Sequence, residues 1–253
     1  RERFAEDHLR MLRAVRFAAQ TGFDIAPATS AAIREGAAGV VSVSRERVRD
    51  ELEKILASPR PGHGLRLLAL AGLLEHVIPE WHPGPSDVAL AAQSLEQLVE
   101  STHAARWIGL LWDLGPDGAD AAMVHLRHSN PVRDTVVAAL RAMPRLQDLP
   151  FDDPAPEKRL LRQPFVPAAL DAMAARLAVT NAPATPLNHA RARLAGWGPG
   201  DLHPERLVDG HDAQAAGLKG ASIAMALERV EDGQLRGDIT TREQALTCLR
   251  TEG

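Results

Sequence analysis

The sequence predicts an all-α protein. Apolar residues recur at three- and four-residue spacing over most of the chain, as at Leu9, Leu12, Val15 and Ala19. Ala, Leu, Arg and Glu dominate, tyrosine is absent, and β-branched residues are sparse. No alternating strand pattern is joined to another by a hairpin turn.

Each element has its own local signal. The spacing predicts a first helix from about Ala5 to Gln20, ended by Gly22. A second begins near Ala28, after Pro27, a residue tolerated in a first helical turn. A third begins at Ser42 or Ser44, either of which can cap its exposed amides, and runs to about Leu56. Ser58-Pro59-Arg60-Pro61-Gly62 reads as a subdomain boundary. A helix-rich block from Gly64 to Arg145 is punctuated at Pro79 to Pro85, Gly115 to Gly118 and Pro131. The Pro- and Asp-rich stretch from Pro150 to Pro156 and Gly198-Pro199-Gly200 divide the remainder of the chain. Thr240 and Glu243 have the spacing of a capping box for the last helix. Four regions result: 1–57, 58–149, 150–200 and 201–253.

Bulk properties narrow the function. At 253 residues, with 45% hydrophobic and 25% charged side chains, the chain has ordinary globular composition. Apolar runs such as Leu67 to Leu74 are far too short to cross a bilayer, so no membrane role is expected. The single Cys248 cannot form an internal disulfide, which suits the cytoplasm. A formal charge of −4 excludes a general nucleic-acid sponge. The cations are nearly all arginine, lysine occurring only at Lys54, Lys158 and Lys219, and arginine suits bidentate contacts to bases and phosphates.

The most informative stretch is Glu6-Asp7-His8-Leu9-Arg10-Met11-Leu12-Arg13-Ala14-Val15-Arg16-Phe17. On a helix, Asp7 and Arg10 are neighbours, and Arg13 and Arg16 continue a stripe that steps back by about 60° each time. A carboxylate accepts from the exocyclic amino group of cytosine or adenine, and a guanidinium donates to the adjacent ring nitrogen or carbonyl. The pair can therefore favour C and A over U and G. Spacing alone also fits a solvated charged face held by a weak ion pair.

This stretch, continued to Gln20-Thr21-Gly22-Phe23-Asp24-Ile25, resembles the Glu-Asp-x-x-Arg motif of class II tRNA nucleotidyltransferases and bacterial poly(A) polymerases. The resemblance implies that Asp7 and Arg10 read the base edge of CTP or ATP while Arg13 and Arg16 help hold the nucleotide. His8 stands where the family often has proline. Val41 to Leu56 resembles the family's next neck helix, with Arg45, Glu46 and Arg47 as structural charges. Gly64 to Glu80 resembles the segment after it, with Leu67, Leu68, Leu70, Leu73 and Leu74 as core. Glu157 to Pro164 and the stretch from Leu207 onward resemble the body-to-tail region.

The resemblance implies a neck (1–57), a helical body (58–149 and 150–200) and a tail (201–253), without the catalytic head. In the family that head carries an Asp-x-Asp pair and Mg²⁺ beside a glycine-rich loop. This chain has no Asp-x-Asp, so no metal ligand and no catalytic residue is expected in it, and by itself it should not polymerise. The implied partners are CTP, ATP and the 3′ end of tRNA or another RNA, with the tail near the tRNA elbow. CCA, A and CC addition and poly(A) tailing share the motif, and oligomeric state is open.

Two other readings stand beside this one. The chain could be a non-catalytic helical RNA-binding or scaffold protein of the same descent. Alternatively, Ala105 to Gly118 resembles the spot where bacterial members carry a His-Asp phosphohydrolase motif, and His103, His125 and His128 could add ligands. There Trp112 replaces the histidine, leaving Asp113, and an indole cannot ligate a metal. His125 and His128, three apart on one helix face, are expected to be surface or packing residues. His211-Asp212 is another His-Asp pair, Asp212 being expected to cap a helix.

Overall fold

A computed structural model describes residues 2–250, and every regular element among them is helical. The chain divides into two compact units, one holding the chain up to Met143 with Pro167–Ala184, the other Pro144–Val166 and the residues from Thr185 on. The expected neck boundary at 57/58 lies inside the first unit, and those at 149/150 and 200/201 are finer than this division.

In the first unit the chain forms α1 (Glu2–Glu6), α2 (Leu9–Thr21), α3 (Pro27–Gly36), α4 (Arg45–Leu56), α5 (Pro61–Leu70), α6 (Leu74–Val77), α7 (Pro85–Glu96), α8 (His103–Leu111) and α9 (Gly115–His125). Most of α10 (Asn130–Gln147) belongs here too, its last turn from Pro144 falling in the second unit. Short 3₁₀ stretches cover Ala37–Ser42 and Trp112–Leu114.

The predicted first helix is interrupted at Asp7 and His8. Asp7 Oδ1 accepts the Leu9 N–H at 3.1 Å, so the carboxylate takes a backbone donor that a continuous helix would have bonded. Downstream, α2 buries Leu9, Met11, Leu12, Val15, Ala18 and Ala19, a stripe at helical spacing. It ends as expected at Gly22, whose φ of 75° is open to glycine and costly to other residues. α3 starts at Pro27, and α4 begins after Ser44, whose hydroxyl nonetheless makes no capping bond. Ser42 Oγ is turned to Gly39 O and His8 Nδ1 instead.

The turn at 58 to 62 is a joint between packed helices rather than a linker. Ser58 is buried and donates to Ile55 O at 2.6 Å. A Cβ on Gly62 would lie 2.1 Å from the Ala92 carbonyl oxygen, so glycine lets α5 meet the backbone of α7. Leu68, Leu73 and Leu74 are core as expected, but Leu70 is 64% exposed. Leu65 and Leu68 set the inward face of α5, and Leu70, two residues past Leu68, points about 160° away from it.

The second unit contains α11 (Pro154–Leu161), α13 (Thr185–Gly196), α14 (Pro199–Leu202), α15 (Gly210–Ala215), α16 (Ala221–Arg236) and α17 (Arg242–Arg250); α12 (Val166–Thr180) lies almost wholly in the first. Val208, Ala213, Leu218, Ala226, Val230, Ala245 and Leu249 form one apolar cluster. Glu157 is buried, accepting from the Phe151 amide and meeting His189 and Arg193. On α11, Arg159 pairs with Glu228, Glu231 and Asp232 of α16.

The expected cap of the last helix is displaced by one residue. Thr241 Oγ1 accepts the Gln244 N–H at 3.3 Å and Gln244 Oε1 accepts the Thr241 N–H at 3.0 Å, the reciprocal box predicted for Thr240 and Glu243. Asp212 likewise acts as the third-position partner of a box whose cap is Asp209. Bonds from the Asp212 and His211 amides hold the Asp209 carboxyl below the usual carboxylate range.

Candidate functional site

The four residues singled out by the motif lie at the start of α2 and along it. The Arg10 N–H donates to the Asp7 carbonyl at 3.0 Å, which keeps the two within one turn despite the break. Arg47 Nη2 of α4 reaches Asp7 Oδ2 at 3.4 Å, and Arg10 Nη1 lies 2.7 Å from Glu6 Oε2. Asp7 is half-buried, and its carboxylate is tethered both by an amide and by a guanidinium from the next long helix. Such double anchoring presets an acceptor's orientation at low entropic cost.

Arg13 and Arg16 converge on one acid that the motif did not point to. Arg16 Nη1 donates to Glu51 Oε2 at 2.8 Å, and Arg13 Nε lies 3.6 Å from Glu51 Oε1. The Glu51 side chain is 3% exposed and Arg16 15%, whereas Arg13 is 45% exposed. Arg16 also sits 4.5 Å above the Phe17 ring. Arg16 is therefore built into the packing of α2 against α4, while Arg13 keeps an open side. One sequence signal could have exposed Glu51: it occupies the buried register Val48, Glu51, Leu52, Ile55, where an apolar residue would be expected. Among the neck charges, Arg47 touches Asp7, and Arg45 Nη1 reaches His76 O at 3.4 Å.

The segment resembling the phosphohydrolase motif is arranged differently. Arg176 makes a two-bond ion pair with Asp113, at 2.5 and 3.1 Å, and its guanidinium lies 5.9 Å from the Trp112 ring centre. No group of three His, Cys, Asp or Glu side chains among the described residues is placed to hold a metal. His125 Nδ1 faces Glu80 at 3.6 Å, and burial lowers its pKa against the opposing pull of Glu80.

His128 packs edge-on against Trp107, ring centres 4.5 Å apart, with its side chain 2% exposed. Burial, and then the charges of Arg49 and His103, push its pKa from 6.5 down to about 4. Between those values the unfolded chain binds more protons than the folded one. Stability is thus fully present above about pH 6.5 and is lost as pH falls toward about 4, by up to ~1.4 kcal/mol per pH unit. His128→Phe should flatten that acid limb in urea midpoints measured from neutral to mildly acidic pH. An unchanged slope would assign the acid sensitivity elsewhere.

The chain has relatives among known proteins. Residues 22–84 match the family described as "Probable RNA and SrmB- binding site of polymerase A". The CCA-adding enzyme of Geobacillus kaustophilus is 34% identical over 224 residues, 83% of this chain and 51% of that protein. That of Geobacillus stearothermophilus is 29% identical over 250 residues, 97% of this chain and 60% of that protein. The chain thus spans little more than half the length of these curated relatives.

Solved structures share the fold. A CCA-adding enzyme in apo form I superposes with a TM-score of 0.65 at 18% identity, covering 99% of this chain and 61% of that one. The Thermotoga maritima CCA-adding enzyme complexed with tRNA gives 0.61 at 19% identity, covering 97% and 61%. The all-helical architecture, the motif at the start of α2 and these relatives together place the chain in the class II tRNA nucleotidyltransferase and poly(A) polymerase family.

Proposed function

We propose that this chain is the nucleotide-selecting and RNA-binding part of an enzyme that adds C and A residues, or A alone, to RNA 3′ ends from CTP and ATP, with tRNA as substrate. The observation that carries the reading is the preset carboxylate of Asp7, one turn from Arg10 and backed by Arg47. In this reading Asp7 accepts from the base amino group, Arg10 donates to the neighbouring ring atom, and Arg13 turns its open side to phosphate. Arg16 contributes by positioning, through Glu51.

Asp113, the acid left in the phosphohydrolase-like segment, is engaged by Arg176. We assign Mg²⁺ to a catalytic head outside this chain, and we expect no transfer activity from the chain alone. Relatives solved in complex with CTP, with ATP and with tRNA support the choice of ligands. The work of such an enzyme lies in the cytoplasm.

Calorimetric titration of the chain with CTP, ATP and GTP tests the proposal. CTP and ATP should bind and GTP should not. Asp7→Ala or Arg10→Ala should weaken CTP and ATP by about tenfold or more, as a bidentate base contact is worth about 1–3 kcal/mol. Equal affinity of both variants for CTP, or wild-type binding of GTP as tight as CTP, would remove the assignment. RNA binding without any CTP or ATP binding would favour a non-catalytic RNA-binding protein, the reading that the match over residues 22–84 also supports.

A further inference from the structure

We propose that the outward face of α2 and the turn after it form a stacking platform for single-stranded RNA, on which Phe17 and Phe23 each receive a base. The inference builds on the reading of α2 as the nucleotide-contacting helix and extends it to the strand that is being lengthened.

Phe17 is 56% exposed and Phe23 74%. The other phenylalanines and tryptophans of the described chain are buried or half-buried, so the two open rings occur together within one short stretch. Leaving two large rings in water forfeits the burial that the core gives Trp81 and Trp107. The Phe23 N–H lies 3.4 Å from Thr21 Oγ1, and its carbonyl faces His63 Nε2 at 3.2 Å, so the backbone is fixed on both sides while the ring projects. Arg16 backs the Phe17 ring at 4.5 Å and is itself locked to Glu51.

The rings lie among charged side chains rather than in an apolar patch. Phe17 lies seven residues from Arg10 and four from Arg13, which places all three on one side of α2. Arg60 is exposed and runs along Gly22, beside Phe23, its Nε 3.0 Å from where a Cβ on that glycine would stand. The acids beside them include Glu6 and Glu51, both engaged by these arginines, Asp7, which meets Arg47, and the exposed Asp24, which faces His63 at 3.7 Å. Aromatic faces interleaved with guanidinia are what a flexible strand needs, because every base has a face to stack and every phosphate a charge to match. The spacing is also suitable. Arg10 and Phe17 are about 10 Å apart along the axis at about 1.5 Å per residue, the length of about three stacked nucleotides. A strand whose growing end meets Asp7 and Arg10 would lay an earlier base on Phe17.

The test is fluorescence anisotropy of a labelled single-stranded oligonucleotide of cytidine and adenosine, titrated with the full chain and with Phe17→Leu, Phe23→Leu and Phe17→Trp. Leucine keeps apolar bulk at exposed positions, and circular dichroism would verify that each variant is folded. Each leucine variant should weaken RNA binding about fivefold or more, the lower end of what one base–aromatic stack contributes, while Phe17→Trp should bind at least as tightly as wild type. CTP affinity should be unchanged in all three. Arg13→Gln should lower the salt dependence by about one phosphate contact.

Binding of the leucine variants within twofold of wild type would overturn the platform, as would a wild-type chain that does not bind the oligonucleotide. So would unchanged RNA affinity combined with a shift in the sedimentation of the chain, which would mark the rings as a protein contact. A chain that binds no CTP but loses RNA affinity in the leucine variants would leave the platform standing and remove the nucleotide-reading assignment instead.

Discussion

Replacing Glu51 by alanine is expected to cost the first unit about 3 kcal/mol of stability and to release the two arginines it holds. The side chain is nearly inaccessible, and it meets Arg16 at 2.8 Å, Arg13 at 3.6 Å and Lys54 at 3.4 Å. Removing one member of a buried ion pair leaves the other charge without compensation, an effect of about 3–5 kcal/mol. The lower end applies because Arg13 and Lys54 can turn to water, whereas Arg16 is mostly enclosed. The prediction has a functional part as well. Without Glu51, Arg16 loses its seat above Phe17, and Arg13 loses the acid that steers it. Urea midpoints should show the loss, and the double variant Glu51→Ala with Arg16→Met should recover part of it. A single-variant cost below about 1 kcal/mol, with no recovery in the pair, would mean that the acid is not the keystone of this packing.

Gly62→Ala is expected to destabilise the same unit by about 2–3 kcal/mol, because its added methyl group would fall 2.1 Å from the Ala92 carbonyl oxygen and 2.8 Å from its carbon. A flexible side chain could swing aside, but backbone cannot, so α5 and α7 must move apart. The Glu96 carboxylate that accepts the His63 amide at 3.0 Å would be displaced in the same motion. Loss of the cooperative urea transition, or a midpoint shift of that size, would be the readout. An unshifted midpoint would show that the two helices have slack the structure does not display.

The sequence alone carried the helical class, the C-terminal end of α2 and the start of α3. Those signals are local. A glycine that ends a helix, a proline that opens one and a stripe repeating every three or four residues act within a turn or two, so they are written in neighbouring letters. Sequence reasoning slipped where two local rules competed. Asp7 could continue a helix or capture an amide, and it captures the Leu9 N–H; two adjacent threonines could cap α17, and Thr241 does so with Gln244.

What only the tertiary structure decided is how distant residues meet. Arg16 and Glu51 are 35 residues apart, Asp7 and Arg47 40, and Arg176 and Asp113 63. No local rule selects these partners, since each arginine had other acids at similar separations along the chain. Packing selected them, by burying one acid on α4 and leaving others in water. The same packing made Gly62, read as part of a subdomain boundary, a point of backbone contact and put Leu70 outside. Where a helix starts and stops is signalled by interactions that a short segment can satisfy, whereas its stability and the setting of its side chains are determined by which faces must share the exclusion of water.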